Sequence, residues 1–181
     1  MPAYEKTLNE IKQEFPKFAL RRKSSSALMQ CISVALTIIT FGRFSDFMQR
    51  FITTIGYVVY IPSHWDDLDP IDRACILRHE RVHMRQRRRM GDFMFTLRYL
   101  WWPLPAVFAS GRRDLEMEAY EESMRASAFY HGVGILNDEY KEELIGHFTG
   151  PQYFWMWPFR GAIEAWYRGV LEKIRAEHQA N

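Results

Sequence analysis

The sequence predicts an α+β fold, mainly helical, with a small β-sheet packed against one long helix. Three observations predict it. Residues 70–90 repeat apolar side chains at helical spacing, residues 27–41 and 52–61 carry strand-like patterns, and the last third returns to amphipathic helical spacing. With 181 residues, 48% of them hydrophobic, the chain can bury a sizeable core. No internal repeat, Gly/Ser linker or low-complexity run divides it, so residues 1–181 are expected to form a single domain.

The elements follow in order. Tyr4, Leu8, Ile11, Phe15 and Phe18 recur at heptad-like spacing, which predicts a packing helix that Pro16 breaks near its end. Residues 27–41 form the longest apolar run. At about 15 residues it is shorter than the roughly 20 a bilayer requires, and Gln30, Ser33, Thr37 and Thr40 interrupt it. Ile32, Val34, Leu36 and Ile38 alternate with Ser33, Ala35 and Thr37, so a sheet strand is expected. Residues 52–61 are rich in β-branched and aromatic side chains and stop at Pro62, predicting a second strand.

A long helix is expected next, over 70–90. Asp69 supplies its N-cap, Pro70 its first helical position and Asp72 an acidic first turn, while Gly91 follows its last residues. Residues 93–108 hold Arg98, Tyr99, Trp101 and Trp102 ahead of Pro103 and Pro105. Two prolines and an arginine argue against a membrane span, so a buried helix and a kinked connection are expected. Helices are predicted over about 138–148 and 159–177, the second with Phe159, Ile163, Trp166, Val170 and Ile174 on one side, and between them lies an aromatic-rich turn, 150–158.

The chemistry sits in the long helix. His79-Glu80-Arg81-Val82-His83 spells HExxH, and residues four apart stack on one helix face. Both imidazoles can therefore reach one zinc ion (Zn2+), with Glu80 beside it as general base for a zinc-activated water. Ile71, Cys75, His79 and His83 make one i, i+4 row that faces inward; Arg78, Arg81, Arg85, Arg87, Arg88 and Arg89 cover much of the rest. A lone histidine on such a face reads as a packed core residue. Two at metal-ligand spacing with a glutamate between them read as ligands.

A catalytic zinc takes a third protein ligand and leaves the fourth position for water. The segment 111–123 offers Glu116 and Glu118. Glu118 shares a face with Asp114, Glu121, Glu122 and Arg125, a row that reads as solvated, whereas Glu116 lies beside Ala119, Tyr120 and Ser123. Glu116 is the expected ligand.

These residues resemble the gluzincin peptidases, in which HExxH is followed by a glutamate on a second helix. Within them the chain is most similar to the minimal core of the HtpX and CAAX prenyl-protease group, whose second helix carries R-x-x-E-x-x-A-D. Arg113, Glu116 and Ala119 match, and Tyr120 stands in place of the aspartate. The resemblance covers about a quarter of the chain and is also similar to small stand-alone peptidases of phages and bacteria. It implies a minimal gluzincin-like fold, His79, His83 and Glu116 as metal ligands, Glu80 as the catalytic base, and a protein or peptide as substrate. It further implies that the strand before the zinc helix borders the cleft and pairs with extended substrate. An oxyanion stabiliser is expected from beyond the second ligand helix, with Tyr153, His147 and His131 all eligible by position.

Other classes fit less well. A metzincin would need glycine at position 86 and histidine at position 89, where Gln86 and Arg89 stand, and neither Cys31 nor Cys75 has a second cysteine at chelating spacing. Two distant cysteines and no secretory signal fit a reducing, cytoplasmic setting. The net charge of +2 gives no strong nucleic-acid signal, and the basic end of the long helix suits the helix dipole. The function expected is a zinc metalloendopeptidase. The alternative is a catalytically silent, zinc-stabilised interaction protein on the same scaffold, docking to a membrane surface or to a larger assembly such as a virion through its aromatics and arginines.

Overall fold

A computed structural model describes residues 2–42, 44–100, 109–150 and 156–180. The described chain is mainly helical with one three-stranded sheet, an α+β fold as the sequence predicts. Contacts group it into two compact units, Met1–Glu80 and Arg81–Asn181. The division falls inside an unbroken helix, α4 (Pro70–Met90).

The first unit opens with α1 (Ala3–Glu14), which buries Thr7 and Ile11 and stops where Pro16 would have to continue it. Strand β1 (Ala19–Arg22) follows. Helix α2 (Ala27–Ile39) corrects the expectation of a strand over 27–41. Two features explain the helix. A 13-residue run without a turn residue exceeds ordinary strand length but suits a helix. Two hydroxyls that interrupt the apolar run bond to the helix's own carbonyls: Thr37 donates to Ser33 O at 2.8 Å and Thr40 to Leu36 O at 2.6 Å. Ser26 caps the start by accepting from the Met29 N–H. Only Met29 is buried in α2; Leu28, Val34, Ile38 and Ile39 are exposed.

The single strand expected over 52–61 is a hairpin: β2 (Thr53–Ile55) and β3 (Val58–Ile61) flank the two-residue turn Gly56-Tyr57. Gly56 adopts φ 66°, a left-handed conformation that glycine takes without steric cost and that a glycine-first hairpin turn requires. The sheet order is β1-β3-β2, with β1 parallel and β2 antiparallel to the central β3. After the short helix α3 (Phe47–Arg50), Phe47 closes over Lys23: the ammonium donates to Phe47 O at 2.9 Å and sits 3.5 Å from its ring centroid. Burial pushes the Lys23 ammonium down to about 8.

Helix α4 begins as predicted. Asp69 Oδ1 accepts from the Ile71 N–H at 2.7 Å. It ends at Gly91, whose φ of 80° is a left-handed stop. The second unit continues with α5 (Asp92–Leu100), α6 (Ser110–His131), α7 (Asp138–Thr149) and α8 (Arg160–Gln179). Its core joins Met124 and Ala128 of α6, Leu144, Ile145 and Phe148 of α7, and Ile163, Tyr167, Val170 and Ile174 of α8. Phe159 lies outside that core, 53% exposed. Gly111 brings α6 against α5: a Cβ there would meet Arg98 O at 2.8 Å. Among the described residues no helix is long and apolar enough to cross a membrane.

Candidate metal centre

The three residues expected as ligands converge. The ligand atoms of His79, His83 and Glu116 all lie within 4.8 Å of one another. His79 and His83 stand one turn apart on α4, and Glu116 comes from the second turn of α6. His83 and Glu116 are 7% and 2% exposed. Their closest ligand atoms, His83 Nε2 and Glu116 Oε2, are 3.7 Å apart. A tetrahedral ion with bonds of about 2.0 to 2.2 Å spaces its ligand atoms about 3.3 to 3.6 Å apart. The His83–Glu116 edge is thus nearly that of such a site. Two imidazoles and one carboxylate are a donor set that zinc favours.

Each of the two buried candidate ligands has its own support. Tyr99 on α5 donates its hydroxyl to Glu116 Oε1 at 2.6 Å, and its ring meets the His83 ring edge-on at 6.0 Å. The Arg112 guanidinium lies over the Tyr99 ring at 4.9 Å. Gln86, fully buried, accepts from His83 Nδ1 at 2.9 Å. Its amide nitrogen donates to Leu115 O at 2.9 Å and to Glu118 Oε2 at 3.1 Å. One glutamine side chain therefore ties the second histidine to the backbone just before the third ligand.

Glu118 takes the part the sequence assigned it, a surface carboxylate: it pairs with Arg89 Nη2 at 2.9 Å. Burial raises its carboxyl, but the hydrogen bonds from Arg89 and Gln86 and the Arg89 charge outweigh that and hold it below the ordinary carboxylate range. Both oxygens are engaged away from the ligand cluster.

Glu80, 8% exposed, sits next to His79 in the chain. Thr54, on the edge strand β2, donates its hydroxyl to Glu80 Oε2 at 2.6 Å. Cys75 is half-buried and absent from the metal-holding group.

The candidates for the oxyanion group separate. His131 ends α6, fifteen residues after Glu116, or about 22 Å along the helix axis at 1.5 Å per residue. It is exposed there and cannot reach the ligands. His147 on α7 stacks on Tyr120 at 5.5 Å and 12°, one helical turn beyond Glu116. Tyr153 lies outside the described residues, as do Trp101, Trp102, Pro103 and Pro105.

Sequence reading did not foresee Tyr99, Gln86 or Thr54. Gln86 had a signal, since it lies three residues after His83 and so on the same face. Tyr99 and Thr54 reach the site across 17 and 26 residues of chain, and nothing local marks them. Where the family pattern has aspartate after the ligand, Tyr120 packs against His147, and the support for Glu116 comes instead from Tyr99. No protein-family model matches the chain, and no curated protein or solved structure matches it.

Proposed function

We propose that the chain is a zinc-dependent metallopeptidase of the gluzincin type, with His79, His83 and Glu116 as ligands and Glu80 as general base. The observation that carries the reading is the convergence, to within 4.8 Å, of three side chains singled out by type and spacing, with Glu116 arriving from a different helix. The resemblance of Arg113, Glu116 and Ala119 to the HtpX and CAAX prenyl-protease group supports the same roles.

A zinc ion held there supplies a water activated at neutral pH and a Lewis acid for the scissile carbonyl. Glu80 then accepts the proton of the attacking water and delivers it to the departing amine. Thr54 engages Oε2, so Oε1 is the oxygen left to carry that proton. Tyr99 and Gln86 hold Glu116 and His83 in place through the cycle. Strand β3, the last before α4, is central and paired on both sides, so of the expected 52–61 strand it is β2 that would supply the substrate edge. Ile55 and Val58 close the hairpin, and antiparallel pairing alternates, so the Thr54 N–H and C=O point away from β3. An extended peptide paired to them runs alongside the residue that holds the base.

The test is metal content by mass spectrometry for wild type, Glu80→Gln and Glu116→Ala, with casein digestion on the same samples. The reading expects about one zinc in the first two, background metal in the third, and cleavage by wild type alone. A metal-free wild type, or full cleavage by Glu80→Gln, would overturn it. A second reading, a zinc-stabilised interaction protein, is favoured by the uncovered apolar face of α2, where Val34, Ile38 and Ile39 are 60%, 69% and 72% exposed. Zinc without cleavage of any peptide would select it.

A further inference from the structure

We infer that Gln86 is a positioning residue which selects the nitrogen that His83 presents to the metal. The inference deepens the metal reading above and rests on it for its consequence. Neutral imidazole carries one proton, and the nitrogen without it is the one that can bind a metal. Which nitrogen that is depends on the hydrogen bond made by the other.

The partners of Gln86 leave one solution. A primary amide has a donating end and an accepting end. One end faces Leu115 O at 2.9 Å and Glu118 Oε2 at 3.1 Å. A backbone carbonyl never donates, so Leu115 O must be the acceptor. That end of Gln86 must be the NH2 group. The other end, Oε1, then faces His83 Nδ1 at 2.9 Å and can only accept. Nδ1 is therefore the protonated nitrogen, and Nε2, 3.7 Å from Glu116 Oε2, keeps its lone pair toward the ligand cluster. The chain of contacts runs from Arg89 through Glu118 and Gln86 to His83. Gln86 is 0% exposed, so water does not substitute for either end of it.

A purely structural role predicts something different. The two bonds from the amide nitrogen tie α4 to α6 and would serve stability alone; the bond from His83 Nδ1 to Oε1 adds nothing to that tie beyond one more contact. Gln86→Glu separates the two. It keeps an acceptor for Nδ1 but loses both donated bonds and sets a carboxylate against Leu115 O and Glu118. Gln86→Met removes the acceptor and keeps the shape.

The experiment is nitrogen-detected NMR of the histidine rings in metal-free protein at a pH where imidazole is neutral, for wild type and both variants. A cobalt(II) titration followed by visible absorption accompanies it, and melting curves report folding. Wild type should show His83 protonated at Nδ1. Gln86→Met should shift His83 toward the Nε2-protonated form and bind cobalt about 10- to 100-fold more weakly. Gln86→Glu should melt lower, yet keep the Nδ1–H form and bind cobalt closer to wild type than Gln86→Met does. His83 protonated at Nε2 in wild type would overturn the inference even if neither variant folded, and so would an unchanged tautomer in folded Gln86→Met. A wild type that shows the Nδ1–H form but takes up no cobalt would instead count against the metal reading, leaving the role of Gln86 in fixing the imidazole intact.

Discussion

The proposed metal ligands and the proposed general base are secured in different ways. His83 and Glu116 are buried in helices, and each is bonded by a side chain that is itself fixed: Gln86 by α6 and Tyr99 by stacking with Phe95 at 5.7 Å and by the Arg112 guanidinium. Glu80 shares α4 with His83, but its hydrogen bond comes from Thr54 on a three-residue edge strand. Helices carry their backbone bonds internally, whereas an edge strand is paired on one side only. The difference teaches that, on the proposed reading, the metal seat is held by side chains of helices while the base is held from an edge strand.

The largest effect should come from removing the seat. Glu116→Ala is expected to drop zinc content to background, while wild-type protein measured beside it retains about one equivalent. Next is the base. Glu80→Gln should keep zinc and lower peptide cleavage by about 10²- to 10⁴-fold, the range for loss of general acid–base catalysis; an equal loss of zinc would make Glu80 part of the seat and erase the contrast. Tyr99→Phe keeps the ring and removes the donor to Glu116. Metal affinity should fall about 10- to 100-fold, with kcat of the loaded protein changed less.

Thr54→Val tests the other side. It should leave metal affinity at the wild-type level and reduce kcat about tenfold, equivalent to one interaction of about 1.4 kcal/mol. If instead zinc is lost, the base is part of the same rigid unit as the ligands. The smallest effect is assigned to Glu118→Ala. The bridge to Arg89 is exposed and worth about 0.2 to 1 kcal/mol, so melting should shift slightly and zinc should stay.

How much of this was legible depends on the range of the signal. The limits of α4 are written in Asp69, Pro70 and Gly91, all local, and the structure has them where expected. The choice of Glu116 over Glu118 needed only helical phase, and the two residues do differ as that phase implies: one is 2% exposed within the cluster, the other pairs with Arg89. Strand β1 pairs with β3 across some forty residues, Ala19 with Val58, a contact no local pattern encodes. Helix α2 resembles a strand in sequence because short-period alternation runs through it, and because Thr37 and Thr40 interrupt its apolar run although both bond back to their own helix. The hairpin was hidden by an apolar run on both sides of Gly56, though the glycine itself marked the turn.

Gly111 has a consequence for how relatives of this chain are to be found. It stands five residues before Glu116, and a methyl group in its place would press on Arg98 O at 2.8 Å, next in the chain to Tyr99. The pattern that follows from this contact is a spacing: tyrosine, then a glycine twelve residues on, then the proposed ligand five further. Scanning genomes with that spacing after HExxH plus a glutamine three residues beyond it would gather chains built to the same geometry, even where nothing else in their sequences agrees.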